Sequence, residues 1–367
     1  MTLLHNTKRF RSANLVLLLL ASIAAPVAQA CTSFCFDTAE GPIFGANMDL
    51  RWGEGLVFVN RRGLAKQSYM LNSEGEPLRW VSRYGSVSFN LVGLEFPWGG
   101  MNEAGLVVAD MQLKATEYPP NDERYPVGSS MWTQFMLDTC ATIEEMIAAQ
   151  DSIRLRGDAV HFMACDASGA CAVFEYLGGE IVIYTGEELP VRALANATYY
   201  DCLEYVKLGV RPAFNPGASA QRVAAAAEWS ERFDPGGEIE ATDWALRMLT
   251  EAVVDPKKWY KVVFREPYTR WSIAFDIAAR RIRFRTEASP SVRSFDFAQL
   301  DFECEAPILM MDVNAEFAGP AEQKLQPYDS EWNHRVAYDF LDRWGSGLSD
   351  EEIDWLTKFL ESFTCAE

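Results

Sequence analysis

Cys31 constrains this chain more than any other residue, because of what precedes it. Residues 27–30 read Val27-Ala28-Gln29-Ala30, with alanine at the third and first positions before the cysteine. That is the A-x-A pattern at which a secretory signal is cut. Upstream, Lys8, Arg9 and Arg11 form a positive leader segment, and Leu15-Val16-Leu17-Leu18-Leu19-Leu20 opens an apolar run. A cut after Ala30 removes residues 1–30 as a signal peptide and leaves a chain that begins with cysteine. That one residue then carries a thiol nucleophile and a free α-amino base together. Two other readings of the segment compete. A membrane anchor needs roughly 20 apolar residues, and the uninterrupted run is shorter. A lipoprotein signal also cuts before cysteine, but it favours leucine and a small residue where Ala28 and Gln29 stand. In that case Cys31 would be a lipid anchor with a blocked amine.

Removing 30 of the 367 residues takes away three charges, all positive, so the formal net charge moves from −19 to −22. Such a chain repels nucleic acid and anionic lipid. Neither is expected as a partner, and no stable membrane association is expected. Apolar residues at 49% and aromatics at 13% argue for a packed globule rather than disorder. No repeat or low-complexity tract divides residues 31–367, which read as a single domain exported to the periplasm or the extracellular space. The stretch 116–129, rich in Pro, Asn and Asp, reads as a surface loop within it.

Export permits disulfides among Cys31, Cys35, Cys140, Cys165, Cys171, Cys202, Cys304 and Cys365. Cys165 with Cys171 suits a hairpin, and Cys304 with Cys365 suits a pinned C-terminal helix, but sequence does not settle pairing. If Cys31 is catalytic, at least one further cysteine stays free. No C-x-x-C occurs and only three histidines are present, so no metal is expected.

Alternating and β-branched stretches predict strands over 32–36, 42–47, 56–60, 83–94, 105–113, 160–165, 172–176, 180–185, 271–276 and 281–286. The first two read as a hairpin. Amphipathic spacing predicts helices near 130 and over 218–233, 242–253, 332–344 and 350–363. Thr142 with Glu145, and Ser349 with Glu352, fit capping boxes. Runs of strands alternating with runs of helices point to an α+β layered fold with mainly antiparallel sheets.

Amide hydrolysis by a cysteine requires a thiolate, a proton shuttle and donors for the oxyanion. Histidine is the usual shuttle, yet His5 leaves with the signal, His161 alternates within a strand, and His334 lies on a late helix. An N-terminal cysteine needs no histidine: its α-amine titrates near 8, with roughly that reference value, and can take the thiol proton. Asp49, at the end of Gly45-Ala46-Asn47-Met48-Asp49 on the second strand, is placed to hold that amine. Taken alone, it also reads as a surface cap.

The start Cys31-Thr32-Ser33-Phe34, followed by Gly45-Ala46-Asn47-Met48-Asp49, resembles the choloylglycine hydrolase and penicillin V acylase family of N-terminal nucleophile hydrolases. Met101-Asn102-Glu103-Ala104-Gly105-Leu106 through Gln112, Leu194-Ala195-Asn196 with Tyr199-Tyr200-Asp201, and Ser219-Ala220-Gln221-Arg222 resemble further segments of that family, in the family's order. The resemblance spans most of 31–290. It implies a four-layer αββα sandwich, no cofactor, hydrolysis of a linear amide in a small-molecule N-acyl amide, and a homo-oligomer, often a tetramer. By position it implies Cys31 as nucleophile and base, Asp49 holding the amine, and Asn196 and Gln112 as amide donors. Arg222 would orient Cys31 and Asp49 and lower the thiol pKa. Bland readings stand beside these: Asn196 in a turn, Arg222 as a solvated helix charge, Gln112 as a surface strand position.

One departure bears on activity. Ala46 stands where the family carries an arginine beside the nucleophile; Arg51, of the same strand parity as Asp49, is a possible substitute. The family's substrates include conjugated bile salts, penicillin V and N-acyl homoserine lactones. Trp52, Phe58, Phe96, Trp98 and Trp132 are candidate pocket aromatics, with the Trp98-Gly99-Gly100 turn and the 116–129 loop as pocket walls. Three functional readings result: an exported amidohydrolase, an inactive acyl-amide-binding homologue, and a lipid-anchored binding protein with a modified Cys31.

Overall fold

Alternation along the first hairpin sets the order of the layers. Strands Thr32–Asp37 and Pro42–Leu50 pair antiparallel, with Thr32 opposite Asn47 and Ser33 opposite Ala46. Cys31, Cys35, Phe44, Ala46 and Met48 point into one apolar layer, while Phe34, Phe36 and Ile43 point into another. A sheet apolar on both faces must be covered on both. The computed structural model describes residues 31–71, 75–208, 219–253 and 268–366. The expected signal peptide over 1–30 lies outside the described residues.

Two large sheets result. The first has seven strands, ordered Ala193–Leu194, Thr32–Asp37, Pro42–Leu50, Tyr268–Asp276, Arg281–Thr286, Arg293–Asp296 and Gly319–Pro320. The second has nine, running from Glu180–Thr185 through Cys171–Leu177, Val160–Cys165, Val107–Gln112, Pro97–Asn102, Ser86–Asn90 and Leu56–Asn60 to Leu309–Asp312 and Gln326–Pro327. Pairing is antiparallel throughout except at one edge of the first sheet. The sheets face each other through a core shared by Phe44, Phe275 and Phe284 of the first and Phe89, Met111 and Val173 of the second.

Helices cover the outer faces. Ser129–Thr139 lies on the second sheet through Met131, Trp132 and Phe135. Ser219–Glu231 and Ala241–Arg247 lie on the first through Val223, Ala226 and Leu246. The arginines that alternate along Arg281–Thr286 tie that helix layer down: Arg283 pairs with Asp243 at 2.8 Å, and Arg285 donates to the Leu246 carbonyl at 3.1 Å. This is the αββα architecture expected. Among the described residues no helix is long and apolar enough to cross a membrane.

Most expected elements are present with shifted ends. Ser349–Glu352 forms a complete capping box, whereas Thr142 accepts from Glu145 N but the Glu145 carboxylate takes Ala141 N instead of the cap. The expected helix over 242–253 is α-helical only to Arg247 and continues as a π turn, Met248–Ala252. Trp98-Gly99-Gly100 is not a turn but the middle of strand Pro97–Asn102. Its glycines serve close packing: a Cβ at Gly100 would lie 2.6 Å from the Val87 carbonyl oxygen, and one at Gly99 would lie 2.9 Å from that of Val108. Disulfides join Cys165 to Cys171 across one hairpin and Cys304 to Cys365 at the C terminus. Cys31, Cys35, Cys140 and Cys202 are free and buried.

Candidate active site

The hairpin register carries Cys31 to the second strand at Asp49. The Asp49 amide N–H donates to Cys31 Sγ at 3.4 Å, and the thiol reaches back to the Asp49 carbonyl at 4.0 Å. Both residues are almost wholly buried. Beyond Asp49 the next strand bulges between Thr269 and Trp271. There Arg270 Nε donates to the Leu50 carbonyl at 3.0 Å, and its guanidinium pairs with Glu287 and the Arg51 carbonyl. A bulge of this kind re-aims a strand end next to a site.

Arg222 comes from the covering helix Ser219–Glu231 and is 2% exposed, so it is no solvated helix charge. Its Nε donates to Thr32 Oγ1 at 2.9 Å, and its Nη2 donates to the Cys31 carbonyl at 3.3 Å and to Asn196 Oδ1 at 2.9 Å. Asn196 in turn donates through Nδ2 to the Gln112 carbonyl at 2.9 Å. One N–H of that amide is committed, and the second makes no hydrogen bond among the described residues. Cys31, Asp49, Arg222, Asn196 and Gln112 are thus brought together, through contacts that link four separated parts of the chain. The Gln112 side chain faces a cleft rather than open surface.

Burial raises the Cys31 thiol above its ordinary range, and the charge of Asp49 and more weakly of Asp110 adds to this. Arg222 lowers it, in the expected direction, but is the smallest of the causes, so the thiol stays raised on balance. Burial also lowers Arg222, against the pull of Asp49 and Cys31. The reason is geometric: the arginine spends its donors on oxygens around the cysteine, not on its sulfur.

Cys31 opens onto a cleft of about 700 Å³ of empty space, its mouth included. Leu50, Leu91, Phe96, Trp98, Phe340 and Trp344 give it an apolar wall, and Asp110, Gln112, Ser130 and Asp158 are its polar lining. Of the aromatics singled out from sequence, Phe96 and Trp98 line this cleft. Phe58 and Trp132 are core residues with no exposure, and Trp52 borders a neighbouring pocket. The wall assigned to the 116–129 loop is supplied instead by the helix Ser330–Trp344. Nothing local to Phe340 or Trp344 marks them; only the docking of that helix does. Asp110 did carry a signal, an acid within the apolar run Val107-Val108-Ala109-Asp110-Met111.

Ala46 is fully buried in the layer between the sheets. Arg51 does not replace the missing arginine: it is exposed and borders a different pocket with Arg270 and Glu287. Neither histidine among the described residues serves Cys31. His161 Nδ1 pairs with Glu175 at 2.9 Å, and His334 Nδ1 pairs with Thr357 at 3.1 Å. The sulfurs of Cys35, Cys165 and Cys171 approach within 4.8 Å of one another, but two of them form a disulfide and cannot bind a metal as thiolates.

This arrangement brings together a thiol, nearby side-chain amides and an apolar cleft. Residues 31–207 match the family of linear amide C–N hydrolases, choloylglycine hydrolase family. They belong to it. The matched segment contains Cys31, Asp49, Gln112 and Asn196, and Arg222 lies beyond it. A search of curated proteins finds no match. Among solved structures, penicillin V acylase from Agrobacterium tumefaciens is similar over 82% of this chain and 98% of its own, with 23% identity and a TM-score of 0.71. A mutant of the conjugated bile acid hydrolase from Clostridium perfringens is similar over 82% of this chain and 96% of its own, with 13% identity and a TM-score of 0.55. These likenesses concern the fold. The family assigns the chemistry: the protein is a hydrolase acting on linear amide C–N bonds.

Proposed function

We propose that residues 1–30 are removed on export and that the mature protein, a single domain from Cys31, is an N-terminal-cysteine amidohydrolase of the periplasm or extracellular space. Its substrate is an N-acyl amide with an apolar acyl or aryl group, of the bile-salt, penicillin V or N-acyl homoserine lactone type. The observation that carries this reading is the position of Cys31, at the foot of an apolar cleft and inside the Asp49–Arg222–Asn196 cluster.

The chemistry follows from the raised thiol. Because burial suppresses the thiolate, a base must act as the sulfur attacks. No histidine among the described residues stands at Cys31, so the bared α-amine is the base, with Asp49 holding it. Sγ bonds to the substrate carbonyl carbon while the amine takes the thiol proton. The oxyanion is met by the second N–H of Asn196 and by the Gln112 side-chain amide. Collapse breaks the C–N bond, and the α-ammonium gives its proton to the departing amine. Water then attacks the thioester, the amine accepts its proton and returns it to sulfur, and the carboxylic acid leaves. Arg222 fixes the Cys31 carbonyl and Asn196 throughout.

Ala46 favours a second reading, an inactive acyl-amide binder, because it brings no charge where the family carries an arginine and Arg51 does not supply one in its stead. Intact mass and N-terminal sequencing of the exported protein, with turnover of an N-acyl amide panel by wild type and Cys31→Ala, decide between them. The hydrolase reading expects a free cysteine amine at residue 31 and turnover that vanishes in the variant. Residues retained ahead of Cys31, a lipidated amine, or turnover untouched by the substitution each overturn it.

A further inference from the structure

The cleft above Cys31 is apolar on its walls and acidic in its polar lining. Asp110, on strand Val107–Gln112, and Asp158 both face it, and no lysine, arginine or histidine does so among the described residues. Asp110 is partly buried, and its side chain makes no hydrogen bond or ion pair with any described residue. Asp158 is exposed at the mouth, where its side chain receives only Trp344 Nε1, at 3.4 Å. Asp110 lies near enough to the nucleophile for its charge to bear on the Cys31 thiol. A carboxyl group in such a place, with no side-chain cation among the lining residues to meet it, bears on which charges a ligand can bring.

We infer that Asp110 and Asp158 form a charge filter: the enzyme takes N-acyl amides whose amine portion is neutral or cationic and rejects those that carry a carboxylate or sulfonate. This rests on the amidohydrolase reading and narrows its substrate class. Of the bile-salt, penicillin V and homoserine lactone types, it keeps the last, whose amine portion is uncharged, and disfavours the first two, whose amine portions carry an acid. A like charge brought into a partly desolvated cleft is repelled far more than in water, since the effective dielectric is lower. Burial, and then Asp158, raise Asp110 well above the ordinary carboxylate range, so the two acids already resist being ionised together. With Asp110 shifted toward its neutral form, the standing charge is first that of Asp158; an anion in the cleft opposes it and further disfavours ionising Asp110, whereas a cation favours both. Gln112 and Ser130 offer hydrogen bonds to a neutral amide or ester portion without changing the sign of the field.

The test uses three amides of one acyl group: phenylacetyl-glycine, phenylacetyl-glycinamide and mono-phenylacetyl-ethylenediamine, which carry charges of about −1, 0 and +1 at neutral pH. Turnover is measured with the mature enzyme. Binding is measured with Cys31→Ala through quenching of tryptophan fluorescence, since Trp98 and Trp344 line the cleft. The glycine conjugate is expected to bind and react on the order of tenfold worse than the glycinamide, with the cation equal or better. The Asp110→Asn/Asp158→Asn double variant should erase that ratio, and 0.5 M salt, with a Debye length of about 4 Å, should narrow it. Equal or tighter binding of the anion, an unchanged ratio in the double variant, or binding of none of the three overturns the filter. If Cys31→Ala binds in the expected order while the mature wild type cleaves nothing, the filter stands and the hydrolase reading falls.

Discussion

Lys66→Met should destabilise the protein in a pH-dependent way that reads out one buried charge cluster. Lys66 Nζ lies 2.8 Å from Glu95 and 3.0 Å from Asp138, and all three side chains are 0–4% exposed. Asp138 also accepts from Trp80 Nε1 at 2.9 Å and from Gln134 at 2.7 Å. Glu95 sits in a left-handed backbone, φ 68°, inside the segment 91–98, which carries Leu91, Phe96 and Trp98 to the cleft wall. Removing the only ammonium that touches both carboxylates leaves two buried anions. Losing one partner of a buried ion pair costs about 3–5 kcal/mol. In a chain of this size that is a fall in Tm of roughly 5–10 °C. The sign with pH follows from Glu95, which burial raises to about 7 while Lys66 pulls against it. An acid whose folded pKa lies above its unfolded one costs stability as pH climbs from the ordinary carboxylate range through that value. The variant, without the lysine's opposing pull, should therefore lose most at pH 8 and least at pH 5, where the carboxyls take up protons. Lys66→Met/Glu95→Gln/Asp138→Asn, which removes all three charges together, should recover at least half the loss. Calorimetric Tm at both pH values checks this. An equal fall at pH 5 and pH 8, or none at pH 8, would falsify the charge argument; the first outcome would point to lost packing alone.

Reducing the two disulfides should have unequal effects, because Cys304–Cys365 spans 61 residues and Cys165–Cys171 only 6. Loop entropy assigns them about 4 and about 2 kcal/mol. Denaturant midpoints of Cys304→Ser/Cys365→Ser and Cys165→Ala/Cys171→Ala report the order, which the reverse ranking would contradict. Arg222→Lys keeps a positive charge but not the fork that reaches Thr32, Cys31 and Asn196. Its kcat should fall roughly 10–100-fold with KM nearly unchanged; a rise in KM alone would mean that the arginine binds substrate rather than positions the nucleophile. Burial pushes the Cys35 and Cys202 thiols up to about 12. Maleimide should leave both unmodified at pH 7 until denaturant unfolds the chain, as peptide mass mapping would show; rapid modification of the native protein would place them at the surface.

Much of the fold and the centre of the site were readable along the chain, because they depend on local spacing. The hairpin around Cys31 follows from alternation and a turn at Gly41, where φ is +139° and a Cβ would sit 2.6 Å from Ala278 Cβ. Asp49, Asn196 and Arg222 were found through ordered segments, and their union needed the sheet register and one helix to bring them within hydrogen-bond reach. What escaped the sequence was set by packing between distant parts. Trp98-Gly99-Gly100, within strand Pro97–Asn102, looked like a turn because its glycines are usual turn residues, yet here they make room for neighbouring backbone. The substitute role for Arg51 failed because strand parity says which face a residue takes, not whether that face is covered beyond the strand's end.

The amino-acid order by itself determined the candidate nucleophile, the antiparallel layered architecture and the acidic character of the chain, since each is written in neighbouring residues or in composition. Tertiary structure alone decided the net rise of the Cys31 thiol, the walls that Phe340 and Trp344 add, and the meeting of Asp110 and Asp158 in one cleft. Those depend on desolvation and on distances between residues far apart in the chain, and a linear pattern encodes neither.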